Sequence, residues 1–223
     1  YESNCGALLI QAMGFSLPNS LSVTAGGAAQ ANLAKYTGMH ICKMSHDFLT
    51  AGKMLNAAAF KTALAVDLSL GGSGTALVNL IWLTDGFREG ITYKSVKKTA
   101  QNIAVIIDTK KNFDLKTFDK QGGVYSLINY LHNAQNDIFA DYLIFDNKKM
   151  FDYCADYKRE DIEESTTNTP SFYEVSGNIA QSGIAYHSQQ TSFSGSAKVY
   201  DSEERLIDSL FGVDNLFCFR SDG

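Results

Sequence analysis

The chain has 223 residues, 45% of them hydrophobic and 19% charged, with a formal net charge of −5 at pH 7. That length carries one large domain or two small ones around a core that needs no staples, and the apolar content excludes disorder as the default state. The acidic balance, with no basic cluster, excludes strong non-specific nucleic-acid binding, and no apolar run is long enough for a membrane span. The chain opens at Tyr1 with no methionine, as a processed chain or part of a longer one would. The apolar stretch over residues 5–15 has no basic segment before it, so it does not read as a signal peptide.

Taken in order, residues 21–24 read as a short strand, followed by Gly26, Gly27 and a helical stretch to Tyr36 that Thr37-Gly38 closes. Residues 39–44 alternate as a second strand, residues 53–61 are alanine-rich and helical, and residues 63–70 alternate again. Residues 103–107 and 142–145 are continuous apolar runs of the kind that form buried parallel strands. Between them, Val124, Leu127, Ile128 and Leu131 mark one face of an amphipathic helix. Residues 158–169 are a charged connector. A helix over 172–186, a short helix over 201–210 and a strand over 213–219 complete the reading. Strands alternating with helices imply an α/β fold, a Rossmann-like parallel sheet with flanking helices. The four cysteines and four histidines are scattered, without ligand spacing. The cysteines therefore read as free thiols in a reducing compartment.

Gly71-Gly72-Ser73-Gly74-Thr75 stands between one of these strands and the apolar run 76–82. A glycine loop between strand and helix presents bare backbone N–H groups to a phosphate, and it is equally a tight turn with no ligand. No Lys-Ser or Lys-Thr pair follows, so it is not a Walker A loop, and it is not G-x-G-x-x-G.

The order of these pieces resembles the tubulin/FtsZ superfamily, including its divergent phage and plasmid members. Gly26 and Gly27 resemble the family's first glycine turn, and residues 70–76 its signature loop, one glycine short. Residues 111–114 resemble the ribose loop, which gives Asp114 that role. Asn147, after the strand 142–145, takes the place of the guanine-reading asparagine. Phe172 takes the place of the base-stacking aromatic and Ser176 that of its polar partner. Asp201 and Glu204 have the spacing of the two carboxylates that act on the next subunit's nucleotide. The resemblance implies a shortened tubulin-like fold binding GTP or GDP with Mg2+. Residues 1–20 would be an extension, 21–157 the nucleotide-binding domain, and 158–223 a connector, the central helix and the start of a second domain.

The expected function on this reading is a cytoplasmic (host-cytoplasmic, if viral) GTPase assembling head-to-tail into filaments. The alternative is a non-enzymatic structural subunit of a large assembly, such as a virion or tail protein. A Rossmann-like small-molecule enzyme ranks last, for want of an acid–base or nucleophile pair. Each site residue also has a plainer reading: Gly26 and Gly27 as a turn, Asp114 and Asn147 as caps or turn formers, Phe172 as core, Asp201 and Glu204 as acids in a helix's first turn.

Overall fold

The computed structural model describes residues 5–71, 74–100, 102–107, 114–134, 139–157, 167–170, 172–175 and 183–186. Over these the chain runs α1 (Cys5–Ala12), α2 (Ala28–His46), α3 (Ala51–Met54), α4 (Ala57–Ser69), α5 (Gly74–Thr84), α6 (Tyr93–Ala100) and β1 (Ala104–Val105). It continues with α7 (Leu115–Lys120), α8 (Gly123–Ala134), α9 (Met150–Cys154), β2 (Thr167–Pro170), β3 (Phe172–Val175) and β4 (Gly183–Tyr186).

The core is built on α4. Asn56 starts this helix: its side-chain oxygen accepts from the N–H groups of Ala58 (3.0 Å) and Ala59 (3.1 Å), donors that a first helical turn leaves free. From Ala59 to Ser69 every residue except Lys61 is buried. Such a helix needs cover on all sides, and α4 packs against α1, α5, α6 and α8. Gly71, with φ +88°, follows its end and donates to Leu68. The Ser69 carbonyl then accepts from both Ile106 (2.8 Å) and Ile107 (3.0 Å), which ties the segment after β1 to the foot of the helix.

α1 ends in a Schellman turn. Gly14 lies in the left-handed region (φ +82°), its N–H donates to Gln11, and the Phe15 N–H donates to Ile10. Three long-range bonds then hold this turn. The hydroxyl of buried Tyr142 donates to the Ala12 carbonyl, the Tyr125 hydroxyl donates to the Ser16 carbonyl, and the Phe145 N–H donates to the Gly14 carbonyl (3.0 Å). Asp119 adds a fourth tie, its Oδ2 accepting from the Ser22 N–H (3.0 Å) and hydroxyl (2.8 Å).

α2 is the opposite of α4: its 19 residues include none that is buried.

The strands differ from expectation. β1 pairs with β2 antiparallel through an irregular register, and β3 pairs with β4 antiparallel from Phe172↔Tyr186 to Val175↔Gly183. The Rossmann-like parallel sheet expected from the sequence has no parallel pair among the described residues. Residues 21–24 form a turn and irregular chain, residues 39–44 continue α2, and residues 63–70 lie almost wholly in α4. The run 63–70 misleads because every side chain in it is buried, polar Asp67 and Ser69 included, so their alternation with Val66, Leu68 and Leu70 imitates a strand. Residues 142–145 form no strand beyond a bridge from Leu143 to Lys149. Residues 172–175 and 183–186 are strands where a helix was expected; their aromatic and β-branched residues suit a sheet. The helix expected over 201–210 and the strand over 213–219 lie outside the described residues.

Candidate functional site: a groove beneath the second helix

The turn after α1 sends Phe15, Leu17 and Ser20 across the face of α2 that carries Leu33, Thr37, His40 and Met44. That spacing of four, three and four residues puts the four α2 positions on one stripe. Between the two segments lies a groove of about 330 Å³, with Phe145 also in its lining. Its walls are mainly apolar, with Ser16, Ser20 and Thr37 as hydroxyl groups and His40 as the one ionisable side chain.

Asp146, next to Phe145 in the chain and outside the groove's lining, gathers charge. Its Oδ1 accepts from Lys43 Nζ at 2.8 Å and its Oδ2 meets Lys148 Nζ at 3.2 Å. His40 Nδ1 stands 3.8 Å from Oδ1, too far for a hydrogen bond, and is buried without a partner. The His40 ring meets Phe145 edge-on at 5.0 Å, and Lys148 Nζ lies 5.7 Å over the Tyr153 ring. Burial alone would raise the Asp146 carboxyl, but hydrogen bonds and attraction from Lys43 and Lys148 outweigh it and hold the group below its ordinary value. The stability these pairs contribute is therefore fully present above pH about 3.8 and lost as pH falls through the depressed folded value. Asp146→Asn is expected to flatten that acid limb. The check is the difference in urea midpoint between pH 6 and pH 3, which should shrink in the variant.

Among the described residues, no three of His, Cys, Asp and Glu stand close enough to share a metal ion. Cys42 is exposed and Cys154 buried, both as free thiols. Burial pushes the Cys154 thiol well up, and its Sγ lies 3.4 Å from Met150 Sδ. No helix among the described residues is long and apolar enough to cross a membrane.

The residues singled out in the sequence have local roles here. Gly27 is the N-cap of α2, and Gly26 (φ +78°) donates to Gln30 Oε1 at 2.7 Å. Gly71 ends a helix rather than a strand, and Gly74 and Thr75 open α5; Gly72 and Ser73 lie outside the described residues. The premise of a strand feeding a glycine loop therefore fails at both glycine turns. Asp114 is the N-cap of α7, accepting from the N–H groups of Lys116 and Thr117 and from the Thr117 hydroxyl, bonds that lower its pKa. Asn147 (φ +59°) donates to Ile144 in the turn that carries Asp146. Phe172 begins β3, while Ser176, Asp201 and Glu204 lie outside the described residues. Asp146 was read beside Asn147 as a strand end and His40 as one of the scattered histidines, but the grouping of His40, Lys43 and Asp146 went unnoticed in the sequence. Their one signal was the i, i+3 placement of two basic residues on a helix, hidden while residues 39–44 were taken for a strand.

The description of dihydroxy-acid/6-phosphogluconate dehydratase N-terminal domains matches residues 1–152. Dihydroxy-acid dehydratase of Ignicoccus hospitalis is 28% identical over 95% of this chain and 41% of its own length. The enzymes of the same name from Methanococcus maripaludis and Aliarcobacter butzleri are 26% and 23% identical, covering 40% and 44% of their own lengths. The chain thus spans about two fifths of these relatives. These matches overturn the tubulin/FtsZ resemblance. With it go the GTP-binding filament, the alternative structural subunit offered beside it, and GTP or GDP as cofactor. The resemblance was assembled from short glycine turns and lone polar residues, which any helical domain also uses as caps. The chain belongs to the family of dihydroxy-acid/6-phosphogluconate dehydratase N-terminal domains.

Proposed function

We propose that this chain is part of a dehydratase acting on a dihydroxy acid. The match of the family to residues 1–152 carries this reading, and relatives bearing that name support it. Removing water from neighbouring hydroxyl-bearing carbons takes a C–H proton and the adjacent hydroxyl and leaves an enol, which relaxes to an oxo acid. Such a step needs a base for the proton and an acid for the leaving hydroxyl. The activity is that of the whole dehydratase, of which this chain supplies the N-terminal-domain part.

A reaction of this class suits the cytoplasm, and we place the protein there. The self-association expected from the sequence finds support in the apolar side chains that α5 leaves at the surface, Val78, Leu83 and above all Trp82, which is 71% exposed. The test of the dehydratase reading uses the protein at its native length, purified from its source and supplied with a short branched dihydroxy acid. A carbonyl reagent should trap an oxo acid in proportion to enzyme and time. Absence of any trapped carbonyl across a panel of dihydroxy acids would end the dehydratase reading.

A further inference from the structure

We infer that α2 is a latched lid, a helix that opens and closes over the groove as a unit. The ion pair of Lys43 with Asp146 holds it shut, and the core around α4 stays folded when it opens.

The seating of α2 is the first ground. The helix buries none of its 19 residues and, among the described residues, packs closely against no other helix or strand. A helix in a protein draws most of its stability from an apolar face laid on its neighbours. Here only Leu33, His40 and Met44 are even half-buried, and Gly38 in the middle of the helix weakens it further.

The ties of the helix are the second ground, and all of them lie in its C-terminal half. The Lys43 ammonium donates to Asp146 Oδ1 at 2.8 Å. Among the described residues this is the only hydrogen bond from α2 to a distant part of the chain. Beside it the His40 ring meets Phe145 edge-on, and Met44 rests against the core. Asp146 belongs to the body of the molecule: Lys148 holds its other oxygen at 3.2 Å, and the turn closed by Ile144 and Lys148 carries it. Lys43 is half exposed, where an ion pair is weak and screened by salt, so the latch gives way before the core does.

The joints at either end are the third. Gly26 (φ +78°) precedes the helix with nothing within 4 Å of its Cβ position. Phe48 (φ +52°) follows it with its ring in solvent. Neither joint is held by packed side chains. Half of the groove's lining belongs to α2, so the groove exists only while the helix is docked, and opening it bares Phe15, Leu17 and Phe145.

Hydrogen exchange read by mass spectrometry on the native-length protein tests the latch, because it separates local opening from global unfolding. Peptides from α2 are expected to exchange about 100-fold or more faster than those from α4. Lys43→Met should speed the exchange of α2 by about two- to fivefold, the worth of an exposed ion pair, and leave α4 unchanged. Raising salt to about 0.5 M should do the same to the parent and add nothing in the variant. Lys148→Met removes a similar pair from the same carboxylate but not from α2, and it should not speed α2. Exchange of α2 at the rate of α4, no response of α2 to Lys43→Met, acceleration of α4 alongside α2, or equal acceleration by the two variants would each overturn the proposal.

Discussion

Gly14→Ala is expected to destabilise the fold by about 3 kcal/mol or more, a large share of the roughly 5–15 kcal/mol that holds a domain together. Two costs fall on the same atom. At φ +82° a side chain is strained by about 1–2 kcal/mol. A Cβ built there would also stand 2.5 Å from Ile144 Cγ2 and 3.1 Å from Ile144 Cα, and forcing extra volume into a packed site adds about 1–3 kcal/mol. Backbone cannot swing aside as a side-chain tip can. Gly26→Ala is the matched control, because Gly26 has nearly the same φ, +78°, but nothing within 4 Å of its Cβ position. It should cost only the conformational part, about 1–2 kcal/mol. Urea midpoints of the two variants against the parent decide the matter. If they shift equally, the close approach of Ile144 to the α1 turn is wrong.

Leu64→Ala should cost about 3–4 kcal/mol, since Leu64 is wholly buried at the centre of α4 and truncation leaves a cavity its neighbours fill only in part. Met39→Ala removes a side chain of similar size from α2, where Met39 is 57% exposed, and should stay within about 0.5 kcal/mol. Chemical denaturation of both variants reads the contrast directly. A Leu64→Ala protein as stable as the parent would mean that α4 is not the centre of the core.

The two helices also mark where the sequence could be read and where it could not. α8 was legible because, although Gly123 to Ile128 are all buried, its later turns leave the core and carry Asn129, His132 and Asn133 opposite Leu127, Ile128 and Leu131, so the 3.6-residue period survives in the sequence. The helical character of residues 53–61 was legible from alanine content, though not the break between α3 and α4 at Asn56. In α4 burial extends to polar Thr62, Asp67 and Ser69, so polarity does not mark an outer face. The first half of α2, to Tyr36, was legible as helix, but its continuation over residues 39–44 was not, because only Met44 there packs against the core. In α2 the alternation of Met39, Ile41 and Lys43 imitated a strand because exposed positions are free to alternate by chance. The groove was not legible at all. It joins residues around 15–20, 33–44 and 145, and proximity across a hundred residues leaves no trace in one sequence. Asp114 and Asn147 were picked out for the chemistry of short polar side chains, and that chemistry is what the structure uses, as a helix cap and a left-handed turn. The family could not be reached from such residues, because capping is common to every fold.

The ties on the turn after α1 have a consequence for the order of events at the ribosome. The Tyr142 hydroxyl that closes on Ala12 lies 130 residues downstream, and the Tyr125 hydroxyl that closes on Ser16 lies 109 downstream. At about 5–20 residues per second, roughly 7–26 s of synthesis separate the emergence of α1 from that of its last clamp. For that interval Leu8, Leu9 and Met13, all buried in the finished fold, have no Tyr142, Ile144 or Phe145 to close against. This protein is helical along most of its described length, yet the step that seals its first helix is non-local, as in a slow-folding β-protein. The nascent chain is thus a natural client for a chaperone that holds short apolar helices.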